Sequence, residues 1–212
     1  QTCALPIGFM QPTSGTAQVA GRDIISEPRA VRECIGYLPE GAPGYSEMTP
    51  SAFLRFVAEM RGLSGNRLRE RMHEVCERTH IGGVLNQPFG TLSKGYKRRV
   101  ALAQALIHDP EILILDEPTD GLDPNQKHEV RELIGKMTKD KCIIISTHIL
   151  EEVTSICTRA IIVNRGKIIA DDKPDSLAAT HGNGSLDAAF RALTRGQTDA
   201  PVAAPSAPVQ NA

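Results

Sequence analysis

The segment Glu111–Pro124, EILILDEPTDGLDP, sets four carboxylates (Asp116, Glu117, Asp120 and Asp123) directly behind the apolar run Ile112–Leu115. Carboxylates this close repel one another unless something positive sits among them. Part of the pattern has a purely structural reading, because Asp and Glu favour the positive end of a helix dipole. Pro118 and the turn at Gly121 delay the next helix to about Asn125, so capping accounts for Asp123 and leaves Asp116 and Glu117 unexplained. His148 stands just beyond a second apolar run, Cys142–Ser146. Taken alone, it reads as a core histidine or the start of a helix.

A second chemical signal is TLSKGYKRRVALAQAL, residues 91–106. Val100, Ala103, Leu106 and Ile107 define a helix that begins near Ser93, yet Lys94, Lys97, Arg98 and Arg99 crowd its first turns. The dipole disfavours each such cation by roughly 0.3–1 kcal/mol. An anion at the helix start would remove the conflict, since free backbone N–H groups, the Ser93 hydroxyl and the side-chain-free Gly95 can approach phosphate oxygens closely. A solvated basic face accounts for Lys97 and Arg98 equally well. It does not account for the Ser-x-Gly at the tip.

These residues need elements to hold them. TAQVAGRDI (16–24) alternates as a strand bent at Gly21, and CIGYLPE (34–40) is a second strand ended by Pro39. The period then changes. Thr49 is a candidate N-cap with Pro50 at the first helical position, and Phe53, Phe56, Val57 and Met60 share a helical face. Another helix, from about Asn66, repeats Leu68, Met72, Val75 and Cys76. Beyond Glu111 the order is strand (112–115), helix (125–137), strand (142–146), helix (149–157), strand (160–163), a turn at NRGK and strand (168–170). Such alternation predicts a parallel sheet covered on both faces, with ILIL and CIII buried on both sides. Ligands of such sheets bind beyond the carboxyl ends of the strands, where Asp116, Glu117 and His148 fall.

With 212 residues and 41% apolar composition the chain can build a real core. A net charge of -1 gives no global attraction to nucleic acid or to an anionic membrane, so any phosphate site must be local. Five scattered cysteines, with no Cys-x-x-Cys pair, argue against a disulfide framework or a zinc site and fit a reducing cytosol. The apolar runs are far short of the ~20 residues that span a bilayer. At the ends, residues 1–7 (QTCALPI) read as non-native sequence, and the Pro/Ala-rich tail 198–212 as disordered.

Together and in this order, LSKGYKRR, ILILDEPTDGLDP and IIISTH resemble the ATP-binding subunit of an ABC transporter. Each motif is weak alone; the ordered set is specific. IGYLPE followed by MTPSAFLRFVAEMRGL is most similar to the bacterial branch with gliding-motility, drug-export and copper-processing exporters. The resemblance implies an α/β, P-loop NTPase (RecA-like) core with a mostly parallel sheet, spanning 8–197, with a helical subdomain inserted at about 46–108. It implies that Asp116 holds Mg2+ through water, that Glu117 is the general base, and that His148 is the switch histidine at the γ-phosphate. Leu92–Tyr96 stand where the signature is usually Leu-Ser-Gly-Gly-Gln. Ser93, Lys94 and Gly95 would face ATP held by a second ATPase subunit in a head-to-tail dimer, and Asp123 would cross that interface.

The sequence departs from the family pattern in two places. Glu40 stands where Gln is usual; as a carboxylate it can still ligate Mg2+, but it adds negative charge near the phosphates. No G-x-x-x-x-G-K-S/T (Walker A) loop occurs in the 212 residues. The chain is therefore expected to be N-terminally truncated and inactive alone, its parent being an ATPase on a membrane-spanning permease, cytoplasmic and peripheral at the inner face of the cell membrane. The alternatives are a soluble ABC ATPase not linked to transport and a noncatalytic regulatory module. Intact Asp116, Glu117 and His148 weigh against the second.

Overall fold

A computed structural model describes residues 7–195. Residues 1–6 and 196–212 lie outside the described residues, and with them the non-native heptapeptide apart from Ile7 and the whole tail from Thr198. In chain order the elements are β1 (Gln18–Val19), β2 (Arg22–Asp23), α1 (Pro28–Cys34), β3 (Ile35–Leu38), α2 (Pro50–Met60), α3 (Gly65–Thr79), α4 (Lys94–Leu106), β4 (Ile112–Asp116), α5 (Pro124–Met137), β5 (Cys142–Ser146), α6 (Leu150–Ile156), β6 (Ala160–Asn164), β7 (Lys167–Asp172), α7 (Pro174–Gly182) and α8 (Leu186–Arg195). They form two compact units, one through His148 and one from Ile149.

In the first unit β3, β4 and β5 make a parallel sheet in that order, the α/β architecture expected. The register pairs Leu115 with Ile145 and Asp116 with Ser146, so the two strands end level. Leu113, Ile114 and Leu115 are fully buried, as a central parallel strand requires. Ile7, Ile24, Val31, Ile35 and Ile114 form one core cluster. The helices α2, α3 and α4 all fall between β3 and β4 in the chain. Thr49 caps α2 as anticipated, accepting from the Ala52 amide at 3.2 Å with Pro50 at the first helical position.

Helix α4 lies against β3 at Gly36. A Cβ there would collide with the Ala105 carbonyl oxygen and come within 2.7 Å of the Pro110 ring. The close approach of helix to strand thus needs glycine. The far end of α4 is gripped from α3, where Arg71 donates to the Leu106 carbonyl at 2.7 Å and to the Ile107 carbonyl at 3.1 Å. These are orphan acceptors of a helix C-terminus, which need such donors.

Three expectations are corrected. The segment 16–24 is not one bent strand but a hairpin of β1 and β2, reversed by Ala20 and Gly21, both at positive φ (51° and 76°). That pair of conformations makes a tight reversal and not a bend. β6 and β7 do not join the parallel sheet; they pair antiparallel with each other. Their turn, Arg165–Gly166, again has both residues at positive φ (49° and 75°), so NRGK closes a hairpin and leaves no room for a crossover. Finally, β5 is not buried on both faces: Cys142 is exposed and Ile144 is 47% exposed. β5 is an edge strand of the described sheet, and alternate side chains stand on its open face.

Helices α1, α7 and α8 were absent from the sequence reading. Pro28 and Pro174 at the first helical position of α1 and α7 were their available start signals. In the second unit Ile162, Leu177, Ala178 and Leu186 form a core that joins the β6–β7 hairpin to α7 and α8.

Candidate active site

Level ends of β4 and β5 bring the acidic pair against the second strand. The Ser146 hydroxyl donates to Asp116 Oδ1, and the Glu117 amide donates to the Ser146 carbonyl at 2.9 Å. Glu117 has φ +47°, the left-handed region. Such a backbone costs a non-glycine residue of order 1–3 kcal/mol and persists only where its surroundings fix it. Here they do, because the Glu117 carbonyl accepts from Asp120 N at 3.1 Å and from the Arg98 guanidinium.

The strained backbone turns the Glu117 side chain toward the next strand's end. Oε1 lies 2.8 Å from His148 Nδ1; the glutamate side chain is 19% exposed and the imidazole 70%. Oε2 is buried and finds no hydrogen-bond partner among the described residues. A buried carboxylate oxygen without a donor is costly and marks where a proton donor or a cation belongs. Asp116, Glu117 and His148 therefore share one rim, as their places at two strand ends predicted.

The positive charge among the carboxylates is Arg98. Read from sequence as part of a solvated basic face, it is instead 5% exposed. Its Nε donates to the Pro118 carbonyl at 3.0 Å, and Nη2 to the carbonyls of Glu117 and, at 3.4 Å, Asp116. Nη1 donates to the carbonyls of Pro39, at 3.1 Å, and Gly41. Burial pushes the guanidinium pKa down, and the charges of Asp120, Asp116, Glu117 and Glu40 push it back up. The correction has a helical reason: Arg98 is three residues after Gly95 and four before Leu102, and all three are buried. That phase was the signal available in the sequence.

Two other cations of α4 also find partners within the chain. Arg99 pairs with Glu129, and Lys97 donates to the Gly90 carbonyl at 3.3 Å. Arg98, Arg99 and Lys97 at the helix start thus have an internal explanation, and the case for an anion at the tip rests on Ser93, Lys94 and Gly95. Ser93 caps α4, accepting from Tyr96 N at 3.3 Å. A Cβ on Gly95 would reach the Gln126 side chain at 2.7 Å, and one on Gly121 would lie 3.8 Å from Lys94 Nζ, so Lys94 leans over the DGLDP loop. Asp123 caps α5, its carboxylate accepting from the amides of Asn125 and Gln126, both at 3.0 Å. Glu40 is exposed on the short loop that Arg98 ties to the acidic turn.

Among the described residues no group of three or more His, Cys, Asp and Glu side chains forms a metal cage. Mg2+ does not need one: it is commonly held by one or two carboxylates with water and substrate phosphates. Asp116 at the strand end, with the unsatisfied Glu117 oxygen beside it, fits such a partial donor set.

The comparisons with known proteins agree with this geometry. The ABC transporter family matches residues 3–120, more than half the chain. The ABC transporter ATP-binding protein NatA of Bacillus subtilis is 34% identical over 191 residues, covering 89% of this chain and 78% of NatA. The uncharacterized ABC transporter ATP-binding protein YxlF of the same organism is 36% identical over 167 residues; the match covers 79% of this chain but spans only 55% of YxlF. A solved ATP-binding subunit of an ABC transporter superposes with a TM-score of 0.80 at 29% identity, covering 91% of this chain and 81% of that one. With its motifs, its parallel sheet and these relatives all in agreement, the chain belongs to the ABC transporter ATP-binding protein family.

Proposed function

We propose that the protein carrying this chain hydrolyses ATP to ADP and phosphate and so powers an ABC transporter permease, as an exporter. The observation that carries this is the convergence of Asp116, Glu117 and His148 on one rim, with Glu117 Oε1 2.8 Å from His148 Nδ1. Phosphoryl transfer asks a protein mainly to place groups and to neutralise charge. Glu117 takes the proton of the attacking water at its carboxylate, and His148, largely exposed, steadies that water and meets the γ-phosphate. Asp116 and Glu40 hold Mg2+, which when bound neutralises charge on the phosphates.

Ser93, Lys94 and Gly95 serve ATP held by a second ATPase subunit in a head-to-tail dimer, and Asp123 crosses to it. The ATPase domain is 8–197, and its helical part, about 46–108, passes the motion of dimer closure to the permease. No helix among the described residues is long and apolar enough to cross a membrane. On this reading the site works beside a membrane-spanning partner, peripheral at the inner face of the cell membrane, without nucleic acid. The exporter reading is supported by the likeness of IGYLPE and MTPSAFLRFVAEMRGL to that branch.

The direct test is phosphate release from ATP by the full-length gene product assembled with its permease. Release that requires Mg2+ is expected. No release above the protein-free rate would overturn the reading.

A further inference from the structure

Arg98 does more than balance charge. Its planar group bonds five backbone carbonyls drawn from two separate loops, Pro39 and Gly41 on one side and Asp116, Glu117 and Pro118 on the other. The first loop carries Glu40. The second carries Glu117, whose left-handed backbone is fixed through the very carbonyl that Arg98 grips. A guanidinium is rigid, with its donors in a fixed fork, so a shift of one set of carbonyls is transmitted to the other. Two further backbone bonds hold Glu117, from its amide to the Ser146 carbonyl and from the Asp120 amide to its carbonyl.

We infer that Arg98 is a positioning residue that couples the Pro39–Gly41 loop to the general-base turn, so that the place of Glu40 and the aim of the Glu117 carboxylate change together. This rests on the ATPase reading of the site for its consequence in turnover. The linkage between the loops stands on geometry alone. A lysine at this position would keep the charge but, as a compact ammonium with three donors, could not span both loops. Charge compensation and loop coupling therefore make opposite statements about Arg98→Lys.

The experiment compares wild type, Arg98→Lys and the control Lys97→Gln in the full-length protein. Two readouts are taken: steady-state ATP hydrolysis, and amide hydrogen exchange of the segments 37–45 and 115–122 against 50–79 as internal reference. Coupling predicts that Arg98→Lys lowers kcat by about tenfold or more with KM for ATP within about twofold, since an aim lost in the transition state appears in kcat. It also predicts faster exchange in both loop segments together, with the reference unchanged, and no change in Lys97→Gln. Faster exchange in only one segment, or wild-type kcat in Arg98→Lys, would overturn it. If wild type releases no phosphate, the ATPase reading falls and the exchange data alone decide the coupling.

Discussion

The two sides of α4 carry adjacent arginines with opposite fates. Arg98, on the side toward β3 and the acidic turn, is buried and spends its hydrogen-bond donors on backbone carbonyls. Arg99, one residue on, turns to α5 and pairs with Glu129, whose side chain is 54% exposed. The inner side is a seam: Gly36 admits the helix, Arg98 holds the acidic turn, and the Nε2–H of His108, just beyond the helix, donates to the Ile35 carbonyl at 3.1 Å. A cationic run thus says little about where each charge goes. The helical phase and the carbonyls within reach decide it.

If the inner seam carries the stability and the α5 side does not, substitutions should separate by size. Gly36→Ala forces a Cβ against backbone, which a side-chain adjustment cannot relieve. It should cost about 3 kcal/mol or more, at the upper end of overpacking penalties, read as a fall in the denaturant midpoint. A midpoint unchanged from wild type would mean that helix and strand are not closely packed.

His108 gives the intermediate effect. Burial first, then the charges of Arg61, Arg71 and Lys141, hold its pKa down at about 4 against an ordinary 6.5, despite the opposing bond to Ile35. The folded state keeps the ring neutral while the unfolded chain protonates it. The site's contribution is therefore complete above pH ~6.5 and is lost as the pH falls toward 4. Thermal unfolding across that window should show a slope that His108→Gln flattens; equal slopes would place the acid sensitivity elsewhere. Smallest of all, Glu129→Gln removes a half-exposed ion pair and should change stability by less than about 1 kcal/mol. A larger loss would erase the distinction between the two sides.

Legibility from sequence followed the same division. Asp116, Glu117 and His148 could be placed together because strand ends are set by short-range pattern, and parallel strands put like ends on one rim. The cap at Thr49 and the start of α4 at Ser93 were equally local. Arg98 was misjudged because the run of four cations suggested solvent, while its burial depends on a loop 57 to 59 residues away in sequence. The β6–β7 hairpin was misjudged because strand–helix alternation gives no direction for the last strand, whereas the two positive φ values at Arg165 and Gly166 do. β5 read as doubly buried because an apolar run looks alike at the centre and at the edge of a sheet.

The central claim is that Glu117 is the base of a hydrolytic site and not merely an acidic residue at a strand end. Glu117→Gln in the full-length protein keeps the side chain's shape and removes its basicity. The account predicts that ATP binding, read by equilibrium titration, is retained while turnover falls by ~10²–10⁴-fold, the range associated with a general base. Turnover within a few fold of wild type, with binding intact, would contradict it.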